Sequence, residues 1–160
     1  MTAFEPKDPD FAARVTDSFR RQQFMTTLGA ELARVGPGTC EITLPYSDAI
    51  SQQHGYFHGG VIGTLADNAA GYASFSLMPA DATVLTVEYK LNLVSPGKGE
   101  RLLARGLVLR PGRTLTVAES KVYAVTGGEK SLCAIALATM MCLHGKSDGP
   151  TDAEPQGDRA

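Results

Sequence analysis

The sequence predicts an α+β domain in which one antiparallel sheet wraps a single long helix. The first observation is the stretch 54–76, HGYFHGGVIGTLADNAAGYASFS, which opens with two His-Gly pairs and continues as a long run of good helix formers. The second is that after Pro79 the apolar period changes from about 3.6 to about 2, and alternating segments follow between Pro and Gly turns. Because no second layer of helices is predicted, the sheet has to cover the one long helix.

The chain begins with a predicted helix over Asp8–Met25. Apolar residues recur there at helical spacing from Phe11 to Phe19, and Gln22 or Gln23 takes the next position on that face. This spacing predicts that the helix packs against the domain that follows.

The remaining elements follow from turn signals between alternating segments. The central helix is predicted to begin at about 58–60 and to end before Pro79. The predicted strands are 30–35, 39–44, 83–94, 101–109, 115–125 and 130–143. We therefore expect an N-terminal helical segment (1–27), a main domain (28–143) and a disordered tail poor in apolar residues (144–160).

The composition is typical of one globular domain. The chain has 160 residues, of which 43% are hydrophobic, and a formal net charge of −2, which does not suggest a nucleic-acid surface. No apolar run is long enough for a transmembrane helix, and the acidic N-terminus is unlike a secretory signal. The cysteines Cys40, Cys133 and Cys142 lie in apolar or strand-like runs and are expected to be reduced core residues. We expect a cytoplasmic protein that binds no nucleic acid, no membrane, no metal and no cofactor.

The central helix has two different faces when its residues are placed at 100° intervals. One face is predicted to pack in the core and carries Val61, Ile62, Leu65, Ala69, Tyr72 and Ala73. The other face carries small residues and a single carboxylate: Gly60, Gly63, Thr64, Asp67, Gly71 and Ser74. Small residues allow a ligand or another backbone to approach, so Asp67 is a candidate functional group. A solvated charge or an ion pair with a nearby Lys or Arg explains Asp67 equally well.

The start of this helix is a candidate oxyanion site. Gly59 and Gly60 have no side chains, and the first N–H groups of a helix carry the positive end of its dipole. At 1.5 Å per residue, Gly60 and Asp67 are roughly 10 Å apart along the axis, too far for one carbonyl group to meet both. Two antiparallel helices of a two-fold dimer could supply one group each.

The motif HGGVIGTLAD resembles that of the HGG-type hotdog-fold acyl-CoA thioesterases, especially the phenylacetate-degradation (PaaI-like) branch. LPYSDAISQQHG before it and VLTVEYKLNLVSP after it extend the resemblance from about Leu28 to about Leu143. The resemblance implies the hotdog fold and hydrolysis of an acyl-CoA thioester, aryl-acyl or medium-chain, to a carboxylic acid and free CoA. It also implies a homodimer with shared active sites, often paired into a dimer of dimers.

The resemblance implies catalytic roles for Asp67, Gly60, His58 and Gln52. Asp67 would be the general base for water or the nucleophile, and Gln52 would hydrogen-bond the thioester or the water. Gln53 is the alternative to Gln52, because a slip of one residue in the loop exchanges them. His58 is expected to orient the loop rather than to act as the base.

Further residues are candidates for substrate binding. Thr86 lies where family members often carry Ser or Thr near the bound water, although an ordinary strand threonine is as good an explanation. Gly59, Thr64 and His54 lie on or beside the motif. Arg110 and Arg113, at a predicted turn, and Lys98 are candidates for the phosphates of coenzyme A, although turn arginines are usually only solvated.

Two alternatives remain open. A non-catalytic acyl-CoA-binding hotdog module predicts loss of the acidic residue or of the glycines, and neither is lost here. A hotdog hydratase predicts an Asp and a His four residues apart in an Asp-x-Asn-type loop. Asp48 and His54 do not have that spacing, and neither Asn nor Pro follows Asp48 as that loop requires.

Overall fold

One helix crosses one face of a six-stranded antiparallel sheet, which confirms the predicted α+β hotdog architecture. The computed structural model describes residues 4–146, 148 and 149. The helices are α1 (Phe11–Arg21), α2 (Gln23–Leu28) and the central α3 (Gly59–Phe75). The strands are β1 (Glu31–Gly36), β2 (Thr39–Pro45), β3 (Ala82–Leu93), β4 (Arg101–Arg110), β5 (Leu115–Thr126) and β6 (Glu129–His144). A 3₁₀ turn, Asp48–Ile50, lies in the loop before α3.

The strand order β1-β2-β4-β5-β6-β3 explains why α3 is enclosed. The chain enters α3 from β2, near one edge of the sheet, and leaves it into β3, at the other edge. The helix therefore has to traverse the sheet, and it contacts all six strands. Among the described residues no helix is long and apolar enough to cross a membrane.

The packing of α3 on β4 depends on a glycine. A Cβ added at Gly106 would lie 2.0 Å from the Ala69 carbonyl oxygen, so only glycine permits this approach of strand and helix. The residues of α3 at this contact, Ala69 and Ala70, are fully buried alanines. Their small size brings the helix close to the sheet and leaves no room for a larger side chain there.

The N-terminal helix is held on the end of α3 by Arg14. The guanidinium donates to the carbonyl oxygens of Met78 and Pro79, both at 2.7 Å, and Nε lies 2.9 Å from Asp8 Oδ2. Its plane also lies over the Phe75 ring, 4.3 Å from the centroid. The carbonyls that follow a helix lack intrahelical donors, and Arg14 supplies donors to two of them. The Pro79 oxygen also accepts from the Ala82 N–H at 3.1 Å.

The structure differs from the sequence expectation at the N-terminal helix. The predicted helix Asp8–Met25 is two helices, because Gln22 leaves the helical region with φ −74° and ψ 99°. Neither Pro nor Gly stands at this break, so the local sequence does not require it. The Gln22 side chain instead bonds the Tyr72 hydroxyl, a tertiary contact that no local pattern reports.

The C-terminal boundary also differs from the expected one. Strand β6 includes His144, which the sequence analysis assigned to the tail. Asp148 accepts a hydrogen bond from Thr83 at 2.7 Å and pairs with Arg21 at 2.6 Å, so this part of the predicted tail contacts the domain. The rest of the predicted tail, Ser147 and 150–160, lies outside the described residues.

The three cysteines are free and buried, as predicted. Burial raises the pKa of Cys40 to about 12 and that of Cys133 to about 11. Their thiols are therefore protonated at neutral pH and act as small apolar groups in the core.

Candidate active site

Asp67 lies in the middle of α3, and its carboxylate is half-buried. The Thr86 hydroxyl of β3 donates a hydrogen bond of 2.8 Å to Asp67 Oδ1. Burial raises the pKa of Asp67, and the hydrogen bond from Thr86 opposes part of that shift. In the described part of the chain no basic side chain pairs with Asp67. Asp67 is therefore not a fully solvated surface charge, and it forms no ion pair with a described residue.

A β-bulge in β3 aims Thr86 at the helix. Thr86 pairs with Met140 of β6 and Glu88 pairs with Thr139, so Val87 is an extra residue in the strand. Further along the strand Tyr89 also faces α3, because its hydroxyl lies 3.3 Å from the position of a Cβ added at Gly63. In a regular strand, residues 86 and 89 would point to opposite faces, because they are an odd number of positions apart. The extra residue of the bulge shifts the alternation by one, so both side chains face α3.

A cleft of about 320 Å³, the Asp67 cleft, opens beside this carboxylate. Its walls are residues of α3 and β3, namely Asp67, Asn68, Gly71, Tyr72, Val84, Leu85 and Thr86. Ser18, Gln22 and Asp148 also line the cleft. A Cβ added at Gly71 would meet no atom within 4 Å although this glycine is buried, so the missing side chain helps to form the cleft. The cleft therefore leaves open space beside Asp67 for a small ligand.

A second cleft of about 550 Å³, the Gly59 cleft, lies at the N-terminal end of α3. Gln52 and Gly59 line it together with apolar side chains that include Phe57, Leu93 and Val94. Gln53 does not line it and is exposed, with its amide 3.4 Å from the exposed His54 ring. Gln52 and Gly59 are therefore brought together, whereas Gln53 and His54 lie outside both clefts.

The first turn of α3 has one backbone donor that is engaged and one that is free. His58 is the N-cap, and its Nδ1 accepts a hydrogen bond of 2.9 Å from the Gly60 N–H. Among the described residues the Gly59 N–H has no hydrogen-bond acceptor. At the positive end of the helix dipole, the available donor is therefore that of Gly59.

The remaining predicted residues lie apart from these two clefts. Thr64 donates to the Gly60 carbonyl oxygen at 3.0 Å, within its own helix. Arg110 and Arg113 are exposed at the turn between β4 and β5 and line neither cleft, so their contact with coenzyme A stays a prediction. Lys98 is exposed in the loop that contributes Pro96 and Gly97 to the Gly59 cleft.

The sequence analysis did not identify Ser18, Gln22, Tyr72 and Asp148 as residues of the cleft. Tyr72 was assigned to the core face and is indeed buried, but it also lines the cleft, and its hydroxyl bonds Gln22 and Ser18, which line it as well. One signal was available: a glutamine occupies a position at which the apolar spacing of α1 calls for a core residue. In the described part of the chain no cluster of three or more His, Cys, Asp or Glu could hold a metal.

Known proteins resemble this chain along most of its length. The thioesterase superfamily profile matches residues 54–131. A solved thioesterase family protein from Silicibacter pomeroyi is 49% identical, with a TM-score of 0.83 over 84% of this chain and 99% of that chain. The 1,4-dihydroxy-2-naphthoyl-CoA hydrolase of Listeria monocytogenes is 29% identical over 67% of this chain and 85% of its own length. The PaaI protein of E. coli shares the fold, with a TM-score of 0.76 at 18% identity over 85% of this chain and 95% of that chain.

Proposed function

Because the chain belongs to the thioesterase superfamily, we propose that it hydrolyses an acyl-CoA thioester to a carboxylic acid and free coenzyme A. The observation that carries this proposal is the half-buried Asp67 carboxylate, held by Thr86 at the wall of an open cleft. A carboxylate in such surroundings is a stronger base than a solvated one, because burial raises its pKa.

Asp67 acts on water in this proposal. Thr86 holds Oδ1, so Oδ2 accepts a proton while the water oxygen bonds to the thioester carbonyl carbon. The tetrahedral intermediate then collapses, the bond between carbon and sulfur breaks, and the thiolate of coenzyme A takes the proton from Asp67. The products are the carboxylic acid and the free thiol, and Asp67 returns to its starting state.

The negative charge on the carbonyl oxygen is stabilised by the Gly59 N–H. The sequence favoured Gly60 for this role, but the Gly60 N–H donates to His58 Nδ1 whereas that of Gly59 is free among the described residues. A preorganised backbone donor at a helix N-terminus stabilises a developing oxyanion without rearrangement. Gln52 lines the same cleft, and in this proposal its side chain hydrogen-bonds the thioester or the water.

Each active site is shared between two protomers in this proposal. Gly59 and Asp67 lie about 12 Å apart along one helix at 1.5 Å per residue, so one carbonyl group cannot meet both in a single chain. We infer that the partner binds at the edge strand β3, because within the described residues this strand pairs with β6 alone and exposes large apolar side chains. Among these are Leu85, Val87 and Leu93, which are 58%, 50% and 55% exposed. Antiparallel association of two copies through β3 brings the helix start of one protomer towards Asp67 of its partner.

The acyl group is proposed to be aryl or of medium length. The Asp67 cleft, at about 320 Å³, lies within the usual range for small-ligand sites. The name of the Listeria relative describes an aromatic acyl-CoA as its substrate. Both observations favour a ring or a medium-length chain over a long acyl chain.

Hydrolysis assays on a panel of aryl, medium-chain and long-chain acyl-CoA thioesters test the proposal. We expect turnover of aryl or medium-chain members, and Asp67→Asn should lower kcat at least about 100-fold while the protein stays folded. The matched control is Asp81→Asn, which removes an exposed carboxylate and should leave kcat unchanged. Normal turnover in Asp67→Asn would refute the assignment, and binding without any turnover in the wild type would instead indicate an acyl-CoA-binding module.

A further inference from the structure

Resting on the proposed hydrolysis, we propose that Asp148 closes one end of the Asp67 cleft and limits the length of the acyl chain that the protein accepts. Asp148 is the specificity-determining residue in this proposal, because its own atoms line the cleft. Arg21 and Thr83 are positioning residues, because they act by holding Asp148 in place.

Asp148 joins α1 to β3. Nη2 of Arg21, the last residue of α1, donates to the carboxylate Oδ2 and to the carbonyl oxygen of Asp148, both at 2.6 Å. The hydroxyl of Thr83, at the start of β3, donates to Oδ1 at 2.7 Å. Both carboxylate oxygens are therefore engaged, and the side chain is 19% exposed. These contacts fix Asp148 between the two elements.

The end of the cleft that Asp148 forms is distant from the reaction centre. Thr83 precedes Thr86 by three residues in β3, which is about 10 Å at 3.3 Å per residue. Thr86 bonds Asp67, whereas Thr83 bonds Asp148. An extended medium-length acyl chain spans the distance between these two carboxylates. A long chain exceeds it and has to displace Asp148.

Asp148 is the part of this wall that a ligand displaces most easily. Ser18 also lines the cleft, but it belongs to α1, which the buried Val15 and Phe19 anchor in the core. The contacts that fix Asp148 are hydrogen bonds and an ion pair, and the Arg21 side chain is 33% exposed. Partly exposed ion pairs are weakened by water and by salt. A long chain therefore binds at the expense of the Asp148 contacts.

The preference for medium length is then a property of Asp148 rather than of the central scaffold. The cleft volume of about 320 Å³ is bounded by Asp148 as well as by α3 and β3. Without that residue the space between α1 and β3 opens at this end. The scaffold of helix and sheet alone sets no such limit.

The test compares hexyl-CoA with dodecyl-CoA, two thioethers that lack the carbonyl group and are not hydrolysed. Calorimetry measures the affinity of each, and the ratio of dodecyl to hexyl affinity cancels the contribution of the coenzyme A that they share. Asp148→Ala and a chain truncated after Gly145 should each raise this ratio about ten-fold over wild type, the usual value of two net hydrogen bonds. Arg21→Gln should raise it less, because Thr83 still holds Asp148.

Ionic strength gives a second readout, which a general loosening of the fold would not produce. Added salt weakens the pair between Arg21 and Asp148, so it should narrow the difference in ratio between wild type and Asp148→Ala. The control is Asp17→Asn, which removes the other carboxylate that pairs with Arg21. Asp17 does not line the cleft, so this variant should keep the wild-type ratio.

An unchanged ratio in both Asp148→Ala and the truncated chain would overturn the proposal. So would an equal rise in Asp17→Asn, or no measurable binding of either thioether. Failure of the proposed hydrolysis has a different signature, because the wild type would then turn over neither hexanoyl-CoA nor dodecanoyl-CoA. The ratio of thioether affinities does not depend on turnover.

Discussion

The Thr86 hydroxyl lies 2.8 Å from Asp67 Oδ1 and joins the edge strand to the central helix at the proposed reaction centre. Burial raises the pKa of Asp67, and this hydrogen bond stabilises the ionised form and so opposes the rise. The same contact that orients the base therefore also sets the pH at which the base becomes available.

Removing that hydroxyl should move the acid limb of the pH–rate profile. In Thr86→Val the ionised carboxylate loses a donor, so the pKa of Asp67 rises further and the acid limb of kcat/KM moves to higher pH. Tyr72 and Asp148 also line the cleft, but neither changes in this variant. The check is kcat/KM of wild type and variant across the acid range. A limb that stays in place or moves to lower pH would show that Asp67 does not govern it.

Asp67 should also make stability depend on pH. Its folded pKa lies above the ordinary value of 3.8. Between these two pKa values the folded state binds the proton more tightly than the unfolded state does. The stability that this protonation contributes is therefore fully present below pH 3.8 and is lost as the pH rises through the folded pKa. Relative to Asp67→Asn, the wild type should therefore lose unfolding free energy over this window and stay constant above it. Urea unfolding of both proteins across the acid and neutral range measures the difference, and a flat difference would contradict the raised pKa.

Two buried glycines should respond to alanine in opposite directions. A Cβ at Gly71 enters the open cleft, so Gly71→Ala should stabilise α3 by about 0.5–1 kcal/mol and lower turnover of aryl substrates. A Cβ at Gly106 meets the Ala69 carbonyl oxygen, so Gly106→Ala should destabilise by about 3 kcal/mol or more. Thermal unfolding and hydrolysis assays measure both effects. If Gly71→Ala left turnover of aryl substrates unchanged, the acyl group would not lie in this cleft.

The central helix and the strands were predictable because their signals are local. The change of apolar period after Pro79 and the Gly and Pro turns determine the elements before any tertiary contact forms. Asp67 stood out for the same reason, as the one charge on a face of small residues. Each of these inferences depends only on neighbours within a few residues.

The features that could not be predicted depend on distant partners. The bulge at Val87 is defined by the register with β6, and the break at Gln22 accompanies a bond to Tyr72, fifty residues away. The choice between the Gly59 and Gly60 donors depends on which one the His58 ring engages. The apolar periodicity of the sequence carries no information about these contacts. It therefore predicts where the helix begins but not which of its first N–H groups lacks an acceptor among the described residues.

The Gly59 donor can be removed with little change to the fold. Gly59 is the first residue of α3, and His58 before it has φ −63° and ψ 138°, a conformation that a following proline accepts. Gly59→Pro should therefore fold normally and lower kcat about 100- to 1000-fold, the usual effect of losing an oxyanion donor. Gly59→Ala is the matched control, because its Cβ makes the same contact with Leu93 while the N–H remains. If both variants lost activity equally, the contact rather than the donor would be responsible.

Mixing two inactive proteins should restore activity if the active sites are shared. Asp67→Asn removes the base and Gly59→Pro removes the oxyanion donor, and each homodimer is expected to be inactive. In a heterodimer one site receives both lesions and the other receives none, provided that each site takes Gly59 from one protomer and Asp67 from its partner. Half of the dimers in a 1:1 statistical mixture are mixed, so activity should return to about one quarter of wild type.

The control mixture combines Asp67→Asn with Asp67→Ala, in which every site lacks the carboxylate and no activity should return. Co-expression with two different affinity tags allows the heterodimer to be purified and its stoichiometry to be verified before the assay. The purified heterodimer should reach about half of wild-type kcat per dimer, because one of its two sites is intact. Verified heterodimers that remain inactive would contradict sharing, and the Gly59 and Asp67 that act on one thioester would then belong to the same chain.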